Sequence, residues 1–185
     1  MRQGAQVEKL LVAAGRHRWR PVAPVADVAV TFESPSLSWR GAGYLDANHG
    51  DEPLGAAFRS WTWSRARSGE DATVLYDTVR ADGEPASLVL RVDPNGKIHP
   101  MRDSPVAPLP PTPIWRVARS TRADPGTQPR IIRTLEDAPF YARSLITTRL
   151  AGQSLQAVHE SLSLTRLRQP AVKLMLPFRM PRQLW

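Results

Sequence analysis

At 185 residues the chain is one domain, or one domain and part of another, and it is long enough to bury a real core. It has no cysteine, which excludes disulfides and thiolate metal sites, and its 42% hydrophobic content argues against wholesale disorder. The formal charge of +8, from 25 basic and 17 acidic residues, comes almost wholly from scattered arginines without a basic run. It reads as a solvated surface, and no nucleic-acid partner is expected.

In chain order, the apolar run Leu10-Leu11-Val12-Ala13-Ala14 is too short for a signal core or a membrane span, and Glu8 and Lys9 precede it. The expected location is cytoplasmic, with peripheral contact to the inner membrane. His17 and Trp19 then form an alternating pair. Val28–Phe32 reads as a strand, as does Leu37–Arg40, which runs into Gly43-Tyr44-Leu45-Asp46-Ala47-Asn48-His49-Gly50. On a strand the side chains at i, i+2 and i+4 share a face, so Tyr44, Asp46 and Asn48 point together. A short helix is expected over Pro53–Phe58. Trp61 and Trp63 alternate on the strand that follows.

Thr73–Val79 is β-branched and half-alternating. Ser87–Val92 follows, and Asp93-Pro94-Asn95-Gly96 is a turn that leads into Lys97–His99. Five prolines between Pro105 and Pro113 predict an extended connection. Further strands are expected at Ile114–Ala118, Arg130–Leu135, Ala142–Leu150 and Leu155–Leu164, with a second helix at Ala171–Leu176 and an extended tail over Leu176–Pro181. Short strands at this spacing predict a mainly β, antiparallel barrel or sandwich. None of the four histidines stands at metal-ligand spacing, so no metal is expected. His159 and Glu160 read as a buried polar pair that anchors the last strand.

Together these segments resemble the carotenoid 1,2-hydratases, also called hydroxyneurosporene synthases. The resemblance is carried by His17-Arg18-Trp19-Arg20-Pro21, Gly43–Leu54, Trp61-Thr62-Trp63-Ser64-Arg65, Val158–Leu162 and Met175–Pro181. It implies a lipocalin-like fold in two consecutive β domains, of which this chain holds the carboxyl-terminal half. Residues 1–55 would then be the end of the first lipocalin-like domain and carry the site motifs. Residues 56–185 would be the second lipocalin-like domain, with an amino-terminal domain missing.

The reaction implied by the resemblance is that of a hydro-lyase. Water adds across the terminal C1–C2 double bond of an acyclic carotenoid such as neurosporene or lycopene, without redox change or cofactor. Protonation at C2 leaves a tertiary cation at C1, which water captures. An isolated alkene is a very weak base, so the acid must be dry and well placed; a carboxylic acid in an apolar pocket stays protonated near neutral pH. By resemblance Asp46 is that acid. Trp19 and Tyr44 shelter the cation with electron-rich faces, worth ~2 kcal/mol each when desolvated. His17 completes the catalytic set; positioning water, taking its proton and bonding Asp46 all remain open for it. Trp61 and Trp63 are candidates for contact with the polyene. Without the resemblance the same residues read more plainly, as core aromatics and a turn or surface aspartate. Two alternatives stand beside the hydratase: a lipocalin-like carrier of a hydrophobic ligand, and an inactive truncated fragment.

Overall fold

The computed structural model describes residues 9–10 and 16–178. The expectations for the apolar run at 11–14 and for the tail at 179–181 lie outside these residues. The elements are β1 (Lys9–Leu10), β2 (His17–Phe32), β3 (Leu37–Gly50), α1 (Leu54–Ala57), β4 (Phe58–Ser68), β5 (Asp71–Arg80), β6 (Pro85–Val92), β7 (Ile98–Pro100), β8 (Val106–Leu109), β9 (Arg119–Arg122), β10 (Arg130–Asp137), β11 (Tyr141–Leu150), β12 (Gln153–Ser163), α2 (Leu164–Leu167) and α3 (Pro170–Met175). All pairings are antiparallel, as the alternating patterns predict. A seven-stranded sheet runs β10-β11-β12-β4-β5-β6-β7. The hairpin β2–β3, edged by β1, forms a separate sheet, and β8–β9 form a third. Among the described residues β7 and β10 do not pair, so the large sheet is open rather than a closed barrel.

The large sheet is buried on both faces at its centre, which is why β5 lacks clean alternation: Val74, Leu75 and Tyr76 are all buried. One face carries Trp61, Trp63, Val74, Tyr76, Leu88 and Leu90, and it packs against Trp19 and Tyr44 of the hairpin. The other face carries Ala66, Leu75, Val89, Ile146, Leu155 and Ala157, closed over by Leu109 and Ile131.

Four local expectations are corrected. Ile114–Ala118 is a turn and loop rather than a strand, because Asp137 accepts hydrogen bonds from the backbone N–H groups of Ile114 and Trp115 that a ladder would use. Thr112 closes the loop, since its Oγ1 accepts from Val117 N at 2.9 Å and its own N–H donates to Val117 O. Arg116 is thereby held at φ 53°, a left-handed conformation that costs a non-glycine residue about 1 kcal/mol or more. The expected strand to Leu164 ends at Ser163, whose hydroxyl accepts from Arg166 N and starts α2. Leu176 to Phe178 form a turn and bend after α3 rather than the start of an extended tail.

His159 and Glu160 are not a pair. Being adjacent on β12 they face opposite ways: Glu160 accepts from Arg143 at 2.9 Å, and buried His159 bonds Ser64 Oγ at 2.8 Å through Nδ1 and Ser161 Oγ at 3.0 Å through Nε2. Burial, reinforced by the Arg119 guanidinium, pushes the His159 pKa down from 6.5 to about 4. Unfolding restores the ordinary value, so between about pH 4 and 6.5 the unfolded chain binds the extra proton. The stability linked to His159 is therefore fully present above about pH 6.5 and is lost as pH falls toward 4, on the order of 3 kcal/mol in all. Denaturant titrations from pH 7 to 4 on the protein and on His159→Gln should show the loss in the first and a much shallower slope in the second. In the same assay Ile146→Ala, at a fully buried site, should cost ~2–5 kcal/mol. Ile132→Ala, at a half-exposed one, should stay within about 0.5 kcal/mol.

Candidate functional site

The hairpin lays two acceptor and donor sets against the aromatic face of the large sheet. Tyr44 and Asp46 share one face of β3, as predicted, and Tyr44 Oη donates to Asp46 Oδ2 at 3.0 Å. Trp19 of β2, fully buried, donates Nε1–H to the same oxygen at 2.7 Å. Asn48 lies opposite Trp19 but is exposed.

Cross-strand register makes this cluster. Near the turn the pairs are Phe32↔Leu37 through Ala26↔Gly43; after the irregularities at Pro21/Ala23 and Ala23/Ala26, Pro21 faces Asp46 and His17 faces Gly50. β2 is two residues longer than β3, and Pro21 and Pro24, which cannot donate to a ladder, bracket the shift. In the register of the hairpin end Asp46 would oppose Ala23. The shift draws it two positions toward Trp19 and leaves every side chain on its own face.

Burial, then the negative charge of Asp46, pushes the Tyr44 hydroxyl above its ordinary range, so it stays a donor. Tyr76 is raised by the same two causes and by the charge of Glu160. The Arg65 guanidinium lies 5.5 Å from the Tyr44 ring centre and donates to the carbonyls of Pro24 and Gly43. Burial pulls the Arg65 pKa down. Trp63 packs on Tyr44 with ring centres 5.0 Å apart, and Trp61 packs on Phe58 and Tyr76.

His17 is brought to the same seam but not to Asp46. Four residues of strand separate it from Pro21, the partner of Asp46, which is ~13 Å along the chain. Of the roles left open for His17, a bond to Asp46 is not made. Its Nε2 instead lies 3.5 Å from Glu52 Oε1, and Glu52 also pairs with Arg16. Gly50 is required here: a Cβ would run into the His17 ring and the Arg16 carbonyl. His17, Glu52, Leu54, Trp61 and Tyr76 line a cavity of about 400 Å³.

Four side-chain atoms are buried without a hydrogen-bond partner among the described residues: His17 Nε2, Arg20 Nε, Trp63 Nε1 and Arg65 Nε. All four lie on β2 and β4, the strands that meet at this seam. A larger cavity, about 800 Å³, lies at the end of the sheet where Trp61, Thr62, Asp77 and Leu162 come together, and Asp46 lines neither. A tunnel ending at Asp46 is thus not formed by either cavity. Sequence reasoning missed Glu52 and Arg65; the only signal for either was its place inside a family motif.

A family model described as carotenoid hydratase CrtC matches residues 2–185. The acyclic carotenoid 1,2-hydratase of Thiocapsa roseopersicina is 51% identical over 175 residues, 95% of this chain and 43% of that protein. The enzyme of the same name from Rubrivivax gelatinosus is 41% identical over 174 residues, 94% of this chain and 43% of that protein. The chain thus spans less than half the length of these relatives. A crystal structure assigned to AttH of Nitrosomonas europaea superimposes with a TM-score of 0.51 at 14% identity, covering 80% of this chain and 51% of that one. That likeness concerns the fold alone, which is lipocalin-like. The match along nearly the whole sequence establishes that the chain belongs to the carotenoid hydratase CrtC family.

Proposed function

We propose that this chain carries the acid site of an acyclic carotenoid 1,2-hydratase. The observation that supports it best is the carboxylate of Asp46, which accepts from Trp19 and Tyr44 on a single oxygen beside an aromatic cluster. With Oδ2 engaged twice, Oδ1 is the oxygen that bears the proton. In the step proposed, the Oδ1–H bond breaks as a C–H bond forms at C2 of the polyene, and a tertiary cation develops at C1. The two donors stabilise the carboxylate left behind. The Trp19 and Tyr44 rings offer the cation π-density without a nucleophile. A water oxygen then bonds C1 and gives up one of its protons to solvent; His17, four strand residues from the partner of Asp46, acts on that proton only through intervening water, by way of the cavity it lines. Asp46 is reprotonated from solvent, so the sum is one water added to one double bond.

The substrate class, acyclic carotenoids, comes from the names of the relatives. Trp61 and Trp63, on the sheet face that meets the hairpin, would flank the polyene. Residues 1–55 are proposed as the end of a preceding lipocalin-like domain. Supporting this, the hairpin pairs into its own sheet, and Phe32, Leu37 and Trp39 stand about half exposed. The same exposure favours a second reading, that the chain is inactive until further polypeptide covers it. Because the substrate is a bilayer solute, we also propose peripheral contact with an anionic membrane through the arginine-rich surface. Among the described residues no helix is long and apolar enough to cross a membrane.

The deciding experiment expresses the chain, and the chain extended upstream in its gene, in cells that accumulate lycopene or neurosporene. Chromatography and mass then report the hydroxylated product. Product from the short chain means a complete site, product from the extended chain alone means the second reading, and none from either sinks the hydratase. In the active form Asp46→Asn should abolish product while preserving the fold. Tyr44→Phe should lower the rate roughly 10- to 100-fold, the worth of one hydrogen bond to a charged group. Retained activity in Asp46→Asn would leave a carrier of hydrophobic ligands as the better reading. Glu52→Gln should cut turnover about tenfold with little change in KM, and Glu52→Asp less, if Glu52 orients His17; equal rates for all three would remove Glu52 from the site.

A further inference from the structure

The 800 Å³ cavity lies at one end of the large sheet and takes residues from both faces, Trp61, Thr78 and Leu162 from the side that meets the hairpin and Thr62, Asp77 and Ser161 from the other. Thr62, Asp77 and Ser161, which are register partners, line it from below, whereas their neighbours Trp63 and Tyr76 face the hairpin. Its size falls within the range of small-molecule sites. The walls divide by chemistry. Val79, Val106, Val117 and Leu162 supply apolar surface, and Arg116, Arg119, Arg122 and Arg166 supply guanidinium groups.

The arginines are not equivalent. Arg122 is neutralised by three hydrogen bonds to Asp77, from Nε and Nη2, and by Asp103. Arg119 is consumed by the carbonyls of Pro110 and Pro111 and the hydroxyls of Thr134 and Ser144, with Asp137 acting on it electrostatically. Arg166 donates to Trp115 O and has no ion pair among the described residues. Arg116 is exposed, lines the cavity, and has neither a hydrogen bond nor an ion pair among the described residues.

The loop that presents Arg116 is over-determined. Asp137, Arg119, Arg166 and Thr112 each bind its backbone, and together they hold Arg116 in a left-handed conformation that suits glycine. Strain that a surrounding structure maintains at the rim of a cavity is a pointer to binding. A guanidinium with free donors recognises a carboxylate or phosphate in two-point fashion.

We infer that this cavity binds an anionic amphiphile, its aliphatic chain among Val79, Val106, Val117 and Leu162 and its acidic head on Arg116 with Arg166 beside it. The site is distinct from Asp46, which does not line the cavity.

Isothermal titration of the chain with oleate, oleyl alcohol and acetate tests it. Oleate should bind, oleyl alcohol at least tenfold more weakly, and acetate not measurably. The informative variant is Arg116→Gly. Glycine relieves the left-handed strain, so the variant should unfold at the same or higher denaturant concentration and still lose about tenfold in oleate affinity. Arg116→Lys should keep most of it, and Asp46→Asn should leave it unchanged. Equal binding of oleate and oleyl alcohol, undiminished affinity in Arg116→Gly, weakened affinity in Asp46→Asn, or no binding of oleate at all would each overturn the inference.

Discussion

The site depends on two register shifts of one residue each within the hairpin. Two extra residues on β2 let Trp19 reach the carboxylate that Tyr44 already holds. A shift of one would have turned Trp19 away from the sheet; a shift of two preserves every facing and changes only the neighbours. The prolines at 21 and 24 make the displacement cheap, because neither has an N–H to lose from the ladder. Arg65 reinforces it by donating to Pro24 O and Gly43 O, one carbonyl from each strand. Asp46, its two donors and the Arg65 guanidinium over Tyr44 are therefore one mechanical unit.

Strand alternation then divides the large sheet between two environments. Along β4 the residues Trp61, Trp63 and Arg65 face the hairpin, while Thr62, Ser64 and Ala66 face the other way. Along β12 Glu160 and Leu162 join the first set, and His159 and Ser161 join the second. One side is aromatic with a carboxylate at its edge. The other carries a neutral, buried imidazole within a chain of hydroxyls, and arginines beyond it. A two-residue period is all that keeps these chemistries apart, and perturbations of one side should be felt weakly on the other.

What the sequence made legible follows the same rule. The shared face of Tyr44 and Asp46 is a property of adjacent positions and needs no partner strand, so it can be read directly. The strands themselves are legible for the same reason, as are the turn at Asp93–Gly96, where Asp93 accepts from Asn95 and Lys97, and the short helices near Leu54 and Ala171. That Trp19, rather than His17, approaches Asp46 was not legible, because it depends on which strand absorbs two extra residues. The loop at 114–118 was misread as a strand for a comparable reason. Ile114 and Val117 have strand propensity, but Asp137 takes the N–H groups of Ile114 and Trp115, 23 and 22 residues before it, first. Glu52 and Arg65 carry no local pattern, and only tertiary packing shows what they touch.

The outer half of the hairpin presses the argument one step beyond the site. Val28↔Gly41, Val30↔Trp39 and Phe32↔Leu37 stack on one face, and Asp27↔Ala42, Ala29↔Arg40 and Thr31↔Ser38 on the other. That is the alternation of a ribbon with one dry side, yet among the described residues Phe32, Leu37 and Trp39 stay about half exposed. A two-stranded ribbon is marginal on its own, and an apolar face of this size ordinarily meets a partner. The relatives, more than twice as long, contain polypeptide enough to cover it. Such a cover would stand over the same strands that carry Trp19, Tyr44 and Asp46. It would bury the ribbon face that points away from the large sheet, whereas Asp46 lies on the other face, half buried against the sheet. Burial of the ribbon and dryness of the proposed acid are therefore separate requirements: the first is met on the outer face of the hairpin, the second only at the seam between hairpin and sheet.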